Sequence, residues 1–141
     1  MDTATAKQPD GSLSATLTHF APIVLSVLRI VAALLFVEHG LSKHFGFPQP
    51  MATPPLFSMI WFAGAIEIVG GAFVTLGLFT RLAALIVSGE MAFAYFIAHA
   101  PKSFYPLVNG GDAAVLYCFV FLYLVFAGGG PLGLDALWRK R

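Results

Sequence analysis

Charge is what this chain has least of. Only 11% of its 141 residues are Asp, Glu, Lys or Arg, while 58% are apolar and the mean hydropathy is +0.82. A soluble domain carries about 25% charged residues, so the polar surface here is too small to coat a globule in water. A formal net charge of +1 leaves no basic stripe for a nucleic acid. Cysteine is as scarce: Cys118 stands alone inside an apolar run. That excludes an internal disulfide and self-contained dithiol chemistry. A mixed disulfide with another molecule stays open, beside plain packing of the thiol. The four histidines form no HxxE or HxxxH pair, so no metal is expected. The glycines between residues 56 and 78 form no GxGxxG, and no nucleophile stands at triad-like spacing from a base. An enzyme acting alone is therefore the least favoured class.

Long apolar runs are what the chain has instead. Four of them, Phe20–Leu41, Leu56–Leu78, Leu82–His99 and Ala113–Leu134, approach the roughly 20 residues a helix needs to cross hydrocarbon. The last is cut short by Gly128-Gly129-Gly130-Pro131. The expected fold is all-α: an antiparallel bundle of four transmembrane helices, near residues 20–41, 56–78, 82–99 and 112–128, within a domain at 19–136. Residues 1–18 read as a flexible tail and 137–141 as a basic one. Arg29 inside the first run, with no cleavage site after it, argues against a secretory signal. Pro48, Pro50, Pro54 and Pro55 break the first connection, and Phe79-Thr80-Arg81 alone joins the second and third runs as a tight hairpin. Lys7, Arg81, Arg139, Lys140 and Arg141 fall on one side, Lys43 and Lys102 on the other. The positive-inside rule then places both termini in the cytoplasm.

Against this apolar background the intramembrane charges stand out. Arg29, Glu67 and Glu90 interrupt three different runs, and a charge at the bilayer centre costs roughly 2.5–3.5 kcal/mol on insertion scales. At about 1.5 Å per residue, Arg29, Glu90 and Glu67 lie about 13, 12 and 16 Å from the inner ends of their runs. Tyr123 falls close to the same level. The expectation is one buried polar cluster of Arg29, Glu67, Glu90 and Tyr123, with Arg29 paired to one or both glutamates. Helical periodicity puts Ala32, Ala33, Phe36, His39, Gly40 and Lys43 on the Arg29 face. Ala63, Gly64, Gly70, Gly71 and Val74 share the Glu67 face as a close-packing seam. The outer mouth collects His39, Lys43, His44, His99, Lys102, Asn109 and Asp112 as candidates for a ligand or proton site. A purely structural ionic clasp accounts for the buried charges equally well.

With those residues in view, the chain resembles the DoxX family of small four-helix bacterial membrane proteins. The likeness rests on Leu28-Arg29, His39-Gly40-x-x-Lys43, Ala63-Gly64-Ala65-Ile66-Glu67 with Gly70-Gly71, and Leu76 to Arg81. Asn109-Gly110-Gly111-Asp112, Gly130-Pro131 and Leu134-Asp135 complete the ordered set, which spans about residues 24–136. The resemblance implies a membrane subunit of a quinone- or sulfur-linked redox complex, with no intrinsic cofactor beyond a bound quinone and a redox enzyme as partner. Two other functions stay open: a noncatalytic anchor or scaffold that recruits an enzyme, and a small-solute or proton carrier, as a homo-oligomer.

Overall fold

The computed structural model of the chain describes residues 11–138. The expectations for residues 1–10 and 139–141 lie outside the described residues. Helix α1 spans Gly11–Phe45, α2 Met59–Leu76 and α3 Thr80–Ala94, the last continuing as one π turn through Tyr95–His99. A short α4, Pro106–Asn109, leads into α5, Asp112–Ala127, and α6, Leu134–Trp138, follows. Among the described residues every element is helical.

Local chemistry explains most of these limits. Ser58 caps α2 by accepting a hydrogen bond from the Trp61 N–H at 3.2 Å. Gly77, at φ 67°, ends the same helix; its N–H and that of Leu78 reach back to the carbonyls of Val74 and Phe73. Helix α2 starts later than Leu56 because Phe57 turns the chain at φ 60°. Helix α5 ends at Ala127, where Gly128 adopts φ 81°. Helix α1 differs most from the sequence expectation, since it begins inside the stretch read as a flexible tail. No glycine or proline lies between Ser12 and Ala21, and the Thr18 hydroxyl bonds back to the Ser14 carbonyl at 2.9 Å. The polar composition of that stretch therefore coexists with a helix.

Three stretches are long and apolar enough to cross a membrane: Leu13–Phe45, Met59–Leu76 and Thr80–His99. Helix α5, at 16 residues, is apolar but shorter. Helix α1 packs chiefly on α2, α3 packs chiefly on α5, and α2 lies beside α3. Ala33, Phe36, Val74, Val87, Phe121 and Leu124 form the core between them. Outward faces are apolar too: Leu34, Val69, Leu85 and Phe119 are about half exposed or more. That is the surface of a protein solvated by hydrocarbon.

Glycines set the spacing of α1 and α2. A Cβ on Gly40 would stand 2.7 Å from the Gly64 carbonyl oxygen, and one on Gly71 would meet Val37 at 2.5 Å. The seam expected on the Glu67 face is there, with one refinement: Gly70 faces Val87 of α3 instead.

Candidate functional site

The ionisable residues expected to meet in one cluster are divided between the two ends of the helices. Arg29 is completely buried, and its guanidinium donates only to backbone carbonyls: Val74 at 2.5 Å, Thr75 at 2.6 Å, Leu132 at 2.5 Å and, from Nε, Gly129 at 2.8 Å. It pairs with neither Glu67 nor Glu90, which corrects the expected ion pair. The depth count went astray because it set the first helix flush with its neighbours at Phe20. Helix α1 starts at Gly11 and overshoots them, so Arg29 stands beside the last turn of α2. The last carbonyls of a helix lack intrahelical donors, and a five-donor guanidinium satisfies several at once.

Two more side chains complete this end. The Asp135 carboxylate accepts from the N–H groups of Phe79 and Thr80, both at 2.8 Å, and so caps α3 from a distant element. Arg81 donates to the carbonyls of Val125 and Phe126 at the end of α5, at 2.5 and 2.7 Å. Sequence reasoning took Arg81 for a topology signal and gave Asp135 no role. The available clue was the broken Gly128–Pro131 segment, whose freed carbonyls needed donors.

The opposite end carries the cavity. Because Gly40 and Gly64 let the two backbones approach, the last turn of α1 delivers Lys43 to Glu67, Nζ to Oε1 at 2.5 Å. Glu67 is 1% exposed, and its other oxygen, Oε2, has no hydrogen-bond partner. Oε2 of Glu90, from α3, is also buried and unpartnered. Both carboxyl groups line one cavity of about 590 Å³, together with Lys43, His39, His99 and Tyr117. Its walls are otherwise apolar, including Ile66, Met91, Ala94 and Ala114, and the exposed Met59, Ile60, Phe93 and Ile97 form its rim. A buried polar atom without a partner is costly, so two of them on side chains that line one largely apolar cavity suit a ligand with an apolar body and hydrogen-bond donors. A second, wholly apolar groove of about 440 Å³ shares Phe62 and Ile66 with the cavity and runs on between α2 and α3, past Val69, Phe73 and Leu82.

The remaining expected residues sort by geometry. His39 reaches the cavity edge, where its ring meets Tyr117 edge-on at 5.8 Å. His99 arrives on the π turn, a feature common at functional sites, and its Nδ1 lies 3.1 Å from the Asn109 carbonyl. His44 turns to the Trp61 carbonyl at 3.1 Å instead of the cavity. Asn109 is buried but committed to its own loop, donating to Ser103 O at 2.8 Å and accepting from Gly111 N at 2.7 Å. Lys102 and Asp112 are exposed and do not line the cavity. Asp112 sits in the first turn of α5, where a carboxylate offsets the helix dipole. Tyr123 is 56% exposed and so leaves the buried cluster; Phe121 and Leu124 take the inward positions of its turn. Tyr117, which the sequence reading missed, is the tyrosine at the cavity. Cys118 lies beside Ser88, whose hydroxyl donates to the Cys118 carbonyl at 2.8 Å. Among the described residues no three His, Cys, Asp or Glu side chains gather as metal ligands.

Residues 24–100 match the family model described as DoxX. A Haemophilus influenzae protein described as "Uncharacterized protein" is 44% identical, over 89% of this chain and 98% of that relative. No solved structure matches.

Proposed function

The chain belongs to the DoxX family of membrane proteins, and from that premise we propose that it is the membrane subunit of a redox complex, holding the head group of a quinone in the Lys43–Glu67–Glu90 cavity. One observation carries this reading: two glutamates, each with a buried carboxyl oxygen that has no hydrogen-bond partner, line one largely apolar cavity beside an ammonium group. A quinol offers two hydroxyl donors on an apolar ring, and a quinone offers carbonyl acceptors to Lys43. The groove between α2 and α3 gives an isoprenoid tail an apolar path from the cavity toward the bilayer. Glu67 and Glu90 relay the two protons that quinone reduction consumes, while a partner enzyme supplies the two electrons. In this reading α5 makes the fourth crossing, and both termini lie on the cytoplasmic side of the bacterial inner membrane.

The test is binding. Protein in lipid nanodiscs is titrated with a short-tailed benzoquinol analogue, and the Glu67→Gln and Glu90→Gln variants follow. Each substitution is expected to weaken binding about tenfold, roughly 1.4 kcal/mol. Affinity unchanged in both variants, with the protein still folded, would leave a noncatalytic scaffold as the better reading.

A further inference from the structure

We infer that two copies of this chain pair in parallel through α1, along a seam of Leu13, Leu17, Phe20, Val24, Val27, Val31 and Leu34. These residues alternate spacings of four and three without a break, the heptad pattern of a left-handed coiled coil. All seven are 50–65% exposed. At about 100° per residue the stripe lies roughly 180° around the helix from Arg29, Ala33, Phe36 and Gly40, which face the rest of the chain. A partner on the seam therefore meets no obstruction from α2 or α5.

Lipid accounts for only part of this stripe. The apolar stretch of α1 covers 33 residues, about 50 Å of helix, against a hydrocarbon thickness of about 30 Å. Counted down from Lys43, about 20 residues use up that thickness, and α1 before Pro22, whose carbonyl lies against Gly130, continues beyond it. Every residue from Leu13 to Val24 is exposed. Within Gly11–Phe20 the only large apolar residues are Leu13, Leu17 and Phe20, set among Ser14, Thr16, Thr18 and His19. Where lipid no longer selects for apolar residues, the stripe has narrowed to heptad positions alone, as a helix–helix seam does.

The occupant follows from chemistry and topology. An exposed stripe at heptad spacing, joined between Phe20 and Leu35 by the also exposed Ile23, Leu28 and Leu35, suits another helix with the same stripe, and a second copy carries one. Copies inserted in the same direction present their α1 helices in parallel. Leu17, Val24 and Val31 then fall at a positions and Leu13, Phe20, Val27 and Leu34 at d, and β-branched residues at a favour two strands. The next a position is Glu38, also exposed, where like charges would meet, so the seam ends there. Seven half-exposed side chains offer on the order of 600 Å² per protomer before their flanks are counted, near the roughly 800 Å² each partner gives to a standard interface.

Cysteine cross-linking of the full chain in native membranes tests the pairing. In a Cys118→Ser background, Leu17→Cys is expected to form a disulfide-linked dimer under mild oxidation. Ala15→Cys, exposed on the opposite side of α1, is expected to stay monomeric. Sedimentation in detergent should give two chains per particle for the unmodified protein and one for the Leu17→Glu, Phe20→Glu double variant. Equal cross-linking at residues 15 and 17, none at residue 17, or an unmodified protein that sediments as a single chain would each overturn the inference.

Discussion

At the scale of single residues, the arginine and the lysine of α1 do different work. Arg29 spends its donors on backbone carbonyls of two chain breaks, whereas Lys43 pairs with a carboxylate at a cavity. Arg29→Met would strand those carbonyls out of water, and hydrogen bonds to a charged group contribute about 1.5–3 kcal/mol each. A loss of about 3 kcal/mol or more is expected in reversible unfolding in mixed micelles. Double-mutant cycles separate the Arg29–Glu67 pairing expected from the sequence from the Lys43–Glu67 pairing of the structure. Arg29→Met with Glu67→Gln should be additive within about 0.5 kcal/mol, since the two side chains share no contact, while Lys43→Met with Glu67→Gln should couple by about 1–3 kcal/mol. Coupling in the first cycle would restore the arginine–glutamate clasp and remove the division drawn here. Which residues are buried was legible in the sequence for Arg29, Glu67 and Ala33, because a charge or small residue within an apolar helix must face protein. Which partner each takes was not, because that depends on the axial offset of α1, and nothing in a uniformly apolar run marks where its neighbours stop.

At the scale of elements, glycine and borrowed caps decide how the helices meet. Gly40 and Gly64 bring α1 onto α2 so closely that Gly40→Ala would drive a methyl group to 2.7 Å from a backbone oxygen. Backbone cannot step aside as a flexible side chain can, so a cost of about 1–3 kcal/mol is expected, together with a weaker Lys43–Glu67 contact. Among the described residues Asp135 is the only side chain that caps the first turn of α3, and Asp135→Ala should cost about 0.5–2 kcal/mol. Hydrogen exchange offers the sharper readout: the Phe79 and Thr80 amides should lose protection while those of α2 keep theirs. Uniform protection in the variant would mean that the hairpin turn holds without its cap. The sequence marked the glycine seam and the break after Ala127, since both are written in residue type. It misplaced Tyr123 by assuming that a polar residue in an apolar helix points inward. Asp112 and Tyr123, eleven residues apart, share a face of α5, and that face is the exposed one.

At the scale of the molecule, the charge that holds helix ends and the charge that lines the cavity are kept apart. Fourteen residues of α1 separate Arg29 from Lys43, about 21 Å along the helix, with the apolar layer of Phe36, Val74, Val87 and Phe121 between them. At one end, among the described residues, Arg29, Arg81 and Asp135 are matched to backbone groups that helix ends and chain breaks leave without partners. At the other end two carboxyl oxygens are left unmatched although their surroundings are apolar. Stability and binding should therefore respond to separate sets of substitutions. Asp135→Ala is expected to lower the melting temperature in nanodiscs and to leave quinol affinity within twofold. Glu90→Gln should do the reverse, weakening the ligand about tenfold with the melting temperature unchanged or raised, because an amide in an apolar wall costs less than a carboxylate. If Glu90→Gln lowered stability as much as Asp135→Ala did and left affinity unaltered, both ends would be structural. The cavity would then be a packing defect between α2, α3 and α5, filled by lipid chains, and not a site built for a ligand with hydrogen-bond donors.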